Sequence, residues 1–334
     1  MNNLKKVGLT ALAGSLAAVS ANAAEMTVSG ATLLTYTSED ATETTGNPFG
    51  MKTNIGFTAS GDVNGMTVSY MQTSVDQFAG MSSARLSIDM GDMGVLAFDQ
   101  GSGSGLATID DKTPTAAEEI WDGLDATAGT TNGLVGAAGS SGVWNYVQTY
   151  GGVTANIAAR RGSGAKSGDG ASSGGGQSAA DIALTGSGDT FGVDGLAWGL
   201  GYGEADAGEE SNAAGVDSSD RHATVFANYS FGMATVGYQK STIDFGGNGS
   251  TGEETDAWGI AVNINDDLSI SYGEREIEYK KPSSTHVTED GEGIAVAYTM
   301  GSMKIAGNTN EVSNNNGTAN AVDEMTEIAL SFAF

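Results

Sequence analysis

Cysteine is absent from this 334-residue chain, and proline occurs only three times. No disulfide can therefore stabilise the fold, which has to be held by packing and hydrogen bonds alone. Long apolar runs are missing as well, because after residue 23 none approaches the roughly 18 residues that a transmembrane helix needs. These absences exclude a disulfide scaffold and a helical membrane protein.

Basic residues are scarce. The chain has 14 Lys and Arg against 41 Asp and Glu, which gives a net charge of −27. Nucleic-acid binding needs a basic surface, so this composition excludes it. Glycine is abundant, with 51 residues. Such a composition is compatible with disorder unless the apolar residues are periodic.

The first 23 residues predict a secretory signal peptide. Lys5 and Lys6 form its charged region, residues 7–19 its short apolar region, and residues 21–23 a small-residue cleavage site. We therefore expect a signal peptide at 1–23 and a single domain at 24–334. Without the signal peptide, 12 basic and 41 acidic side chains remain, a net charge of −29.

Apolar residues alternate with small or polar ones through most of the domain. In 255–264, Trp258, Ile260 and Val262 occupy every second position, and the last residues alternate in the same way up to Phe334. A period of two is that of a strand with one apolar and one polar face. Sixteen segments show this period: 27–36, 51–60, 66–74, 81–90, 95–101, 143–150, 153–161, 179–188, 195–205, 220–230, 233–242, 255–264, 268–279, 290–299, 303–311 and 323–334.

The connections between these strands alternate between short turns and long polar loops. The long loops lie at 37–50, 102–142, 162–178, 206–219, 243–254, 280–289 and 312–322. Transmembrane barrels have short turns at one rim and long loops at the other. A soluble sandwich also alternates, but sixteen hairpin-linked strands exceed one sandwich. We therefore predict an all-β, antiparallel transmembrane barrel of about 16 strands, with no Lys or Arg at central positions of its apolar face.

Three features of the chain occur together. They are the segment Gly291–Tyr298 with the Met300-Gly301 turn, the terminal Ala329–Phe334, and one outsized loop after the fifth strand. In these the chain resembles the 16-stranded trimeric general porins of Gram-negative bacteria, particularly the alphaproteobacterial type, over nearly all of residues 25–334.

The resemblance implies several partners and one functional loop. It implies a homotrimer in the cell outer membrane, in contact with outer-membrane lipid and lipopolysaccharide. Phe334 would belong to the signal that the barrel-assembly machinery reads. The long third loop would fold into the lumen and narrow it.

Residues 102–142 form the longest connection, and a loop of that length normally has a function. Thr113 as N-cap, Pro114 at the first helical position and Gly123 as a stop predict one short helix over 114–123. By the resemblance, acids of this loop face basic residues of the pore wall; the alternative is a solvated outer loop. The acidic candidates are Asp110, Asp111, Glu118, Glu119, Asp122 and Asp125, and the basic candidates are Lys52, Arg85, Arg160 and Lys304.

These features indicate a water-filled channel for passive diffusion of ions and small hydrophilic solutes. Fixed carboxylates near a narrow passage bias which ions enter, so we expect a mild preference for cations. Two alternatives remain open, namely a substrate-selective channel with a binding site and a closed structural or adhesive barrel.

Catalysis and cofactors have little support in the sequence. His222 and His286 are the only histidines, and no cysteine or nucleophile elbow accompanies them, so we do not expect an enzyme. No cofactor is expected. Four acid pairs offer oxygen ligands for Ca²⁺, although none fits a calcium-binding loop: Asp110/Asp111, Glu118/Glu119, Glu209/Glu210 and Glu253/Glu254.

Overall fold

The computed structural model describes residues 25–39, 46–75, 82–124, 133–139, 141–162, 178–206, 219–246, 251–280 and 287–334. All sixteen predicted strands are confirmed, with ends that shift by a few residues. They are β1 (Glu25–Glu39), β2 (Phe49–Val63), β3 (Met66–Val75), β4 (Ser83–Asp89), β5 (Val95–Gln100), β6 (Ser141–Tyr150), β7 (Val153–Arg160), β8 (Ser178–Ser187), β9 (Leu196–Asp206), β10 (Asp220–Phe231), β11 (Ala234–Phe245), β12 (Thr251–Asn263), β13 (Leu268–Lys280), β14 (Thr288–Met300), β15 (Met303–Ser313) and β16 (Val322–Ala333).

Helical structure in this part of the chain is limited to short 3₁₀ turns. They lie at Gly91–Met93, Gly105–Thr108, Gly188–Thr190 and Asn315–Gly317. No helix among the described residues is long and apolar enough to cross a membrane.

The sheet closes on itself. Each strand pairs antiparallel with its neighbours in the chain, and β1 pairs with β16. At this seam Leu34 lies opposite Leu330, and the Phe334 N–H donates to the Gly30 carbonyl at 2.9 Å. A closed barrel has no edge strand and so leaves no row of unpaired backbone groups. The predicted fold class is therefore confirmed.

The short turns use residues that accept a positive φ. Asn64 and Gly65 have φ values of 55° and 80° between β2 and β3, and Gly151 and Gly152 have values of 59° and 84° between β6 and β7. Two successive positive φ angles are typical of the type I′ turn, whose twist matches that of the two strands it connects. These turns gather at one rim, which we call the short-turn rim, and the long connections gather at the long-loop rim.

The two faces of the wall differ as the alternation predicts. On β14, Ile294, Val296 and Tyr298 point outward and are 58%, 43% and 42% exposed, whereas Ala295 and Ala297 point inward and are buried. Large apolar side chains thus cover the outside of the barrel. An exposed apolar surface that encircles a protein requires an apolar environment such as lipid.

Charge is unevenly distributed around this outer face. On β1 to β8 the outward positions carry no Asp, Glu, Lys or Arg. On β9 to β16 the outward charged residues lie at or beyond the middle of the strand, toward the long-loop rim. They are Glu204, Asp206, Arg221, Lys240, Asp244, Glu254, Asp256, Glu274, Glu276, Glu278, Lys280, Asp290, Glu292, Glu311 and Glu324.

Lys240 shows that one sequence expectation is wrong. It points outward near the middle of β11, where no basic residue is expected. Its Nζ lies 2.7 Å from Glu254 Oε1 and 2.8 Å from Asp256 Oδ2, both on β12. The two carboxylates compensate the cation, which an alternating pattern within one strand cannot reveal.

A basic group on the outer face of β2 should destabilise the barrel. Phe57 lies outward near the middle of β2, so we expect Phe57→Arg to lower the free energy of unfolding in lipid bilayers by about 2–4 kcal/mol. Thr58→Arg is the matched control, because Thr58 points into the barrel. Urea titration of both variants checks this, and equal losses would contradict the assigned faces.

Candidate functional site

The long connection between β5 and β6 lies against the inside of the barrel. We call its described residues, 101–124 and 133–139, the inner segment. The Gln239 amide on β11 donates to the carbonyls of Ile109 and Asp110, both at 2.9 Å. On β15, the Asn310 amide donates to the carbonyls of Glu119 at 3.1 Å and Asp122 at 2.8 Å. Because Gln239 and Asn310 point inward, the segment runs within the lumen along the wall.

Small inward residues make room for this segment. A Cβ on Gly259 would lie 2.8 Å from the Pro114 carbonyl oxygen, and one on Gly293 would lie 2.9 Å from Ile120 Cγ2. Such separations are too short for real carbon contacts. Glycine at these positions therefore lets the loop backbone approach the strands closely.

An apolar cluster fixes the first part of the segment. Leu106, Ile109 and Val135 are buried together against Ala183 on β8, Phe226 on β10 and Ile243 on β11. Phe226 and Ile243 are large apolar residues on the inward face, where the sequence pattern leads one to expect small or polar side chains. They are explained by the segment that covers them.

One carboxylate joins the two ends of the segment. Asp181 on β8 accepts the Leu106 N–H at 3.0 Å through Oδ1 and the Ala138 N–H at 2.8 Å through Oδ2. Residues 106 and 138 are far apart in sequence, so this single side chain closes the base of the loop. A buried carboxylate is stable there because backbone donors satisfy both of its oxygens.

The expected helix over 114–123 is wrong. The segment forms bends and isolated turns, with Asp122 N–H donating to the Glu119 carbonyl at 3.1 Å. Other backbone donors go to the wall, as Lys112 N–H does to Gln239 at 2.7 Å and Ala116 N–H to Ser271 at 2.9 Å. A helix of ten residues is marginal by itself, so these tertiary hydrogen bonds prevail.

Asp110, Asp111, Glu118 and Glu119 are partly buried in the lumen, whereas Asp122 is exposed. Burial, followed by the charges of the neighbouring Glu119 and Asp110, raises the pKa of Asp111 to about 7, although Lys112 lowers it. Burial also raises the pKa of Asp110. For Glu118, burial is again the main cause of a raised pKa, followed by Asp122 and Glu119. Asp125 lies outside the described residues.

The four basic candidates all occupy inward positions, but they fall into two pairs. Arg85 is tied to the start of the segment, with Nη1 donating to the Gly103 carbonyl at 3.1 Å and lying 3.9 Å from Asp99. Arg160 lies at the other end, beside Gly139 and in electrostatic contact with Asp181.

Lys52 and Lys304 form the second pair, on β2 and β15. Lys304 interacts electrostatically with Glu118 of the inner segment. Lys52 interacts in the same way with Glu327, an inward acid of β16. The structure thus sets two lysines of the wall near carboxylates of the segment and of β16.

Sequence reasoning missed several residues that hold the segment. They are Asp181, Asn228, Gln239, Arg275 and Asn310, of which Arg275 is itself paired with Glu289. Each occupies an inward position of its strand, so the alternation of the sequence could have placed these side chains in the lumen. No sequence signal shows that they bind the loop rather than water, because their partners are distant in the chain.

Metal binding has no clear site in this part of the protein. Among the described residues, no group of three or more His, Asp or Glu side chains could hold an ion. Glu253 and Glu254 point to opposite faces of β12, since Glu253 is buried inside and Glu254 pairs with Lys240 and Lys280 outside. Glu209 and Glu210 lie outside the described residues.

Solved structures with the same architecture are outer-membrane proteins. In-vitro folded OmpT, an outer membrane protein of Vibrio cholerae, is 13% identical in sequence to this chain and superposes with a TM-score of 0.68. The match covers 93% of this chain and 98% of the OmpT chain. Its trimer form is 11% identical with a TM-score of 0.67, covering 93% and 100%. An anion-selective porin from Comamonas acidovorans is 13% identical with a TM-score of 0.66, again covering 93% and 100%.

The chain has the porin fold. Sequence identities this low establish the architecture and nothing about selectivity. No protein-family model matches the chain, and no curated protein matches it significantly in sequence.

Docking of the inner segment should weaken as the pH rises. The Asp111 pKa is raised from 3.8 to about 7 in the folded state, so the docked segment holds a proton more tightly than the released one. Stability of docking is therefore greatest below pH 4 and declines as the pH rises through 7. We expect hydrogen-exchange protection of residues 105–124 to fall by about ten-fold or more between pH 5 and pH 8.

Asp111→Asn should remove most of this pH dependence, because it leaves a neutral side chain of the same size. Asp92→Asn, in an exposed turn at the short-turn rim, is the control and should behave as the unmodified protein. Protection that is independent of pH in the unmodified protein would contradict the assignment to Asp111.

Proposed function

We propose that the protein is an outer-membrane porin of a Gram-negative bacterium, a water-filled channel for passive diffusion of ions and small hydrophilic solutes. The observation that carries this proposal is a closed barrel whose lumen is lined by polar side chains and partly occupied by the inner segment. Such an arrangement restricts the passage by size and charge and requires no catalytic step. The structural likeness to porins supports it.

The pore constriction would be formed by the inner segment and the facing wall. Asp110, Asp111, Glu118, Glu119 and Asp122 supply its acidic side, with Asp125 added from the sequence. Lys52 and Lys304 supply the basic side, and Arg85 and Arg160 belong to the wall where the segment begins and ends. Charges on opposite sides of a narrow passage with low-dielectric walls create a strong local field.

Acids outnumber the available bases in this arrangement, so the channel would prefer cations. Selectivity is set by the particular lumen charges and not by the fold, since one structural neighbour is an anion-selective porin.

A substrate-selective channel and a closed barrel are the alternatives to a general diffusion channel, and single-channel recording separates all three. In a substrate-selective channel, the ligand would block the current in a saturable way. A closed barrel would show no current.

The direction of selectivity should depend on the segment acids. In planar bilayers under a KCl gradient, we expect a reversal potential that indicates cation preference. Glu118→Gln with Asp122→Asn should lower the K⁺/Cl⁻ permeability ratio by about two-fold, because two fixed negative charges are lost. Glu324→Gln on the outer face is the matched control and should leave the ratio unchanged. Anion preference in the unmodified protein would reject this part of the proposal.

We also propose that the channel is a homotrimer, with the charge-free outer face of β1 to β8 contributing the subunit contacts. This face includes the two shortest strands, β4 with 7 residues and β5 with 6. The existence of a trimer form of OmpT supports the proposal. Subunit interfaces are depleted of charged residues at their centres, as this face is.

A charge on that face should separate the subunits. Leu86 lies outward on β4 and is 45% exposed, and Leu200 lies outward on β9 and is 47% exposed. We expect Leu86→Arg to yield monomers on native gels, since an uncompensated cation would be buried in the interface. Leu200→Arg places the same charge on β9, outside this face, and should remain trimeric. A trimeric Leu86→Arg variant would exclude β4 from the interface.

Lipid and lipopolysaccharide would meet the charged half of the outer face. Glu274, Glu292, Glu311 and Glu324 follow one another directly across β13 to β16. Adjacent like charges repel, and lipopolysaccharide phosphates would repel them too, so divalent cations would bridge the two. This contact lies near the long-loop rim, which we place on the extracellular side.

Assembly would depend on the terminal residue. Phe334 is 78% exposed, and its ring lies over Gly30 at the seam between β1 and β16. An exposed C-terminal aromatic at the closing strand is accessible to the barrel-assembly machinery, which supports Phe334 as the assembly signal. We propose no enzymatic activity and no cofactor for the channel.

A further inference from the structure

Arg275 is a buried cation on the inner wall. It lies on β13 and is only 5% exposed. Its guanidinium carbon is 4.7 Å from the centre of the Trp121 ring, which belongs to the inner segment. Its Nη2 lies 3.1 Å from Glu289 Oε1 on β14. A buried charge is stable only when it is paired, and the aromatic face adds a favourable contact.

Glu289 holds Arg275 in a fixed orientation. The carboxylate is itself 3% exposed and accepts the Tyr279 hydroxyl at 2.8 Å. It also accepts the Asn316 N–H at 2.8 Å, from the connection between β15 and β16. Because several donors hold this carboxylate in place, the guanidinium paired with it has little freedom to move away from its position over the Trp121 ring.

Trp121 lies in the part of the inner segment that carries Glu118, Glu119 and Asp122. This part of the segment forms no helix. Its carbonyl groups at Glu119 and Asp122 accept hydrogen bonds from the Asn310 amide of the wall. Ile120 packs against Gly273 and Gly293, beside Trp121. The distance of these acids from the opposite wall therefore depends on how Trp121 is held, together with the contacts of Asn310 and Ile120.

We propose that Arg275, oriented by Glu289, is the positioning residue of the pore: by stacking on Trp121 it holds the acidic part of the inner segment against β13 and β14 and so sets the aperture. This inference rests on the proposed channel function. The same arrangement connects the aperture to the long-loop rim, because Glu289 binds both Arg275 and the Asn316 N–H. Lysine could not replace Arg275 fully, because an ammonium lacks the planar surface that stacks on the ring.

Single-channel recording in planar bilayers tests the positioning role. We expect Trp121→Leu and Arg275→Gln to raise the conductance by about two-fold and to add brief fluctuations, because the part of the segment around Trp121 is no longer held in one position. Trp258→Leu and Arg221→Gln are matched controls, since both residues lie on the outer face of the barrel, on β12 and β10. Their conductance should equal that of the unmodified protein.

A conservative variant distinguishes positioning from a general loss of structure. Trp121→Phe keeps an aromatic face for the Arg275 guanidinium, whose carbon lies 4.7 Å from the centre of the Trp121 ring. Its conductance should therefore stay close to that of the unmodified protein. Trp121→Leu, which has no aromatic face, should show the higher conductance.

The outcomes separate the two levels of inference. Absence of current from the unmodified protein would overturn the proposed function. Normal current with unchanged conductance in Trp121→Leu would overturn only the positioning role. Trp121 lies outside the strands, so this variant should keep the thermal denaturation midpoint of the barrel and decide the question even if Arg275→Gln fails to fold. A conductance in Trp121→Phe as high as that in Trp121→Leu would also contradict the proposal.

Discussion

Closure of the backbone hydrogen-bond network is the constraint on which the rest of the structure depends. In hydrocarbon an unpaired N–H or carbonyl has no water to bind, so a sheet can span the membrane only as a complete cylinder. The pairing of β1 with β16, extended by the Phe334–Gly30 hydrogen bonds, completes that cylinder. With the backbone satisfied by itself, the side chains are free to differ between the lipid face and the lumen.

The lumen is organised around the inner segment as much as around water. Glycine at 259 and 293 allows the backbone of the segment to lie on the strands, and Phe226 and Ile243 pack beneath Leu106 and Ile109. Its polar attachments come from single inward side chains that each bind main-chain groups. The loop is therefore held by many small interactions with the wall and not by secondary structure of its own.

The outer face has two regions that suit two surroundings. Its charge-free half, on β1 to β8, fits protein contacts or lipid chains. Its acidic half, on β9 to β16, has its charges between the middle of the strands and the long-loop rim. Net charge alone does not reveal this division. The same acidic composition could have placed carboxylates evenly over the loops, where water and salt would screen them.

The sequence by itself determined the barrel, because alternation with period two and the contrast between short and long connections are local properties that every strand repeats. It also placed Lys52, Arg85, Arg160 and Lys304 on inward positions by parity. Only the tertiary structure decided that residues 114–123 form no helix, that Lys240 is compensated on the outer face, and that Arg275 stacks on Trp121. Each of these depends on side chains from distant strands, whose pairing energies no single segment contains.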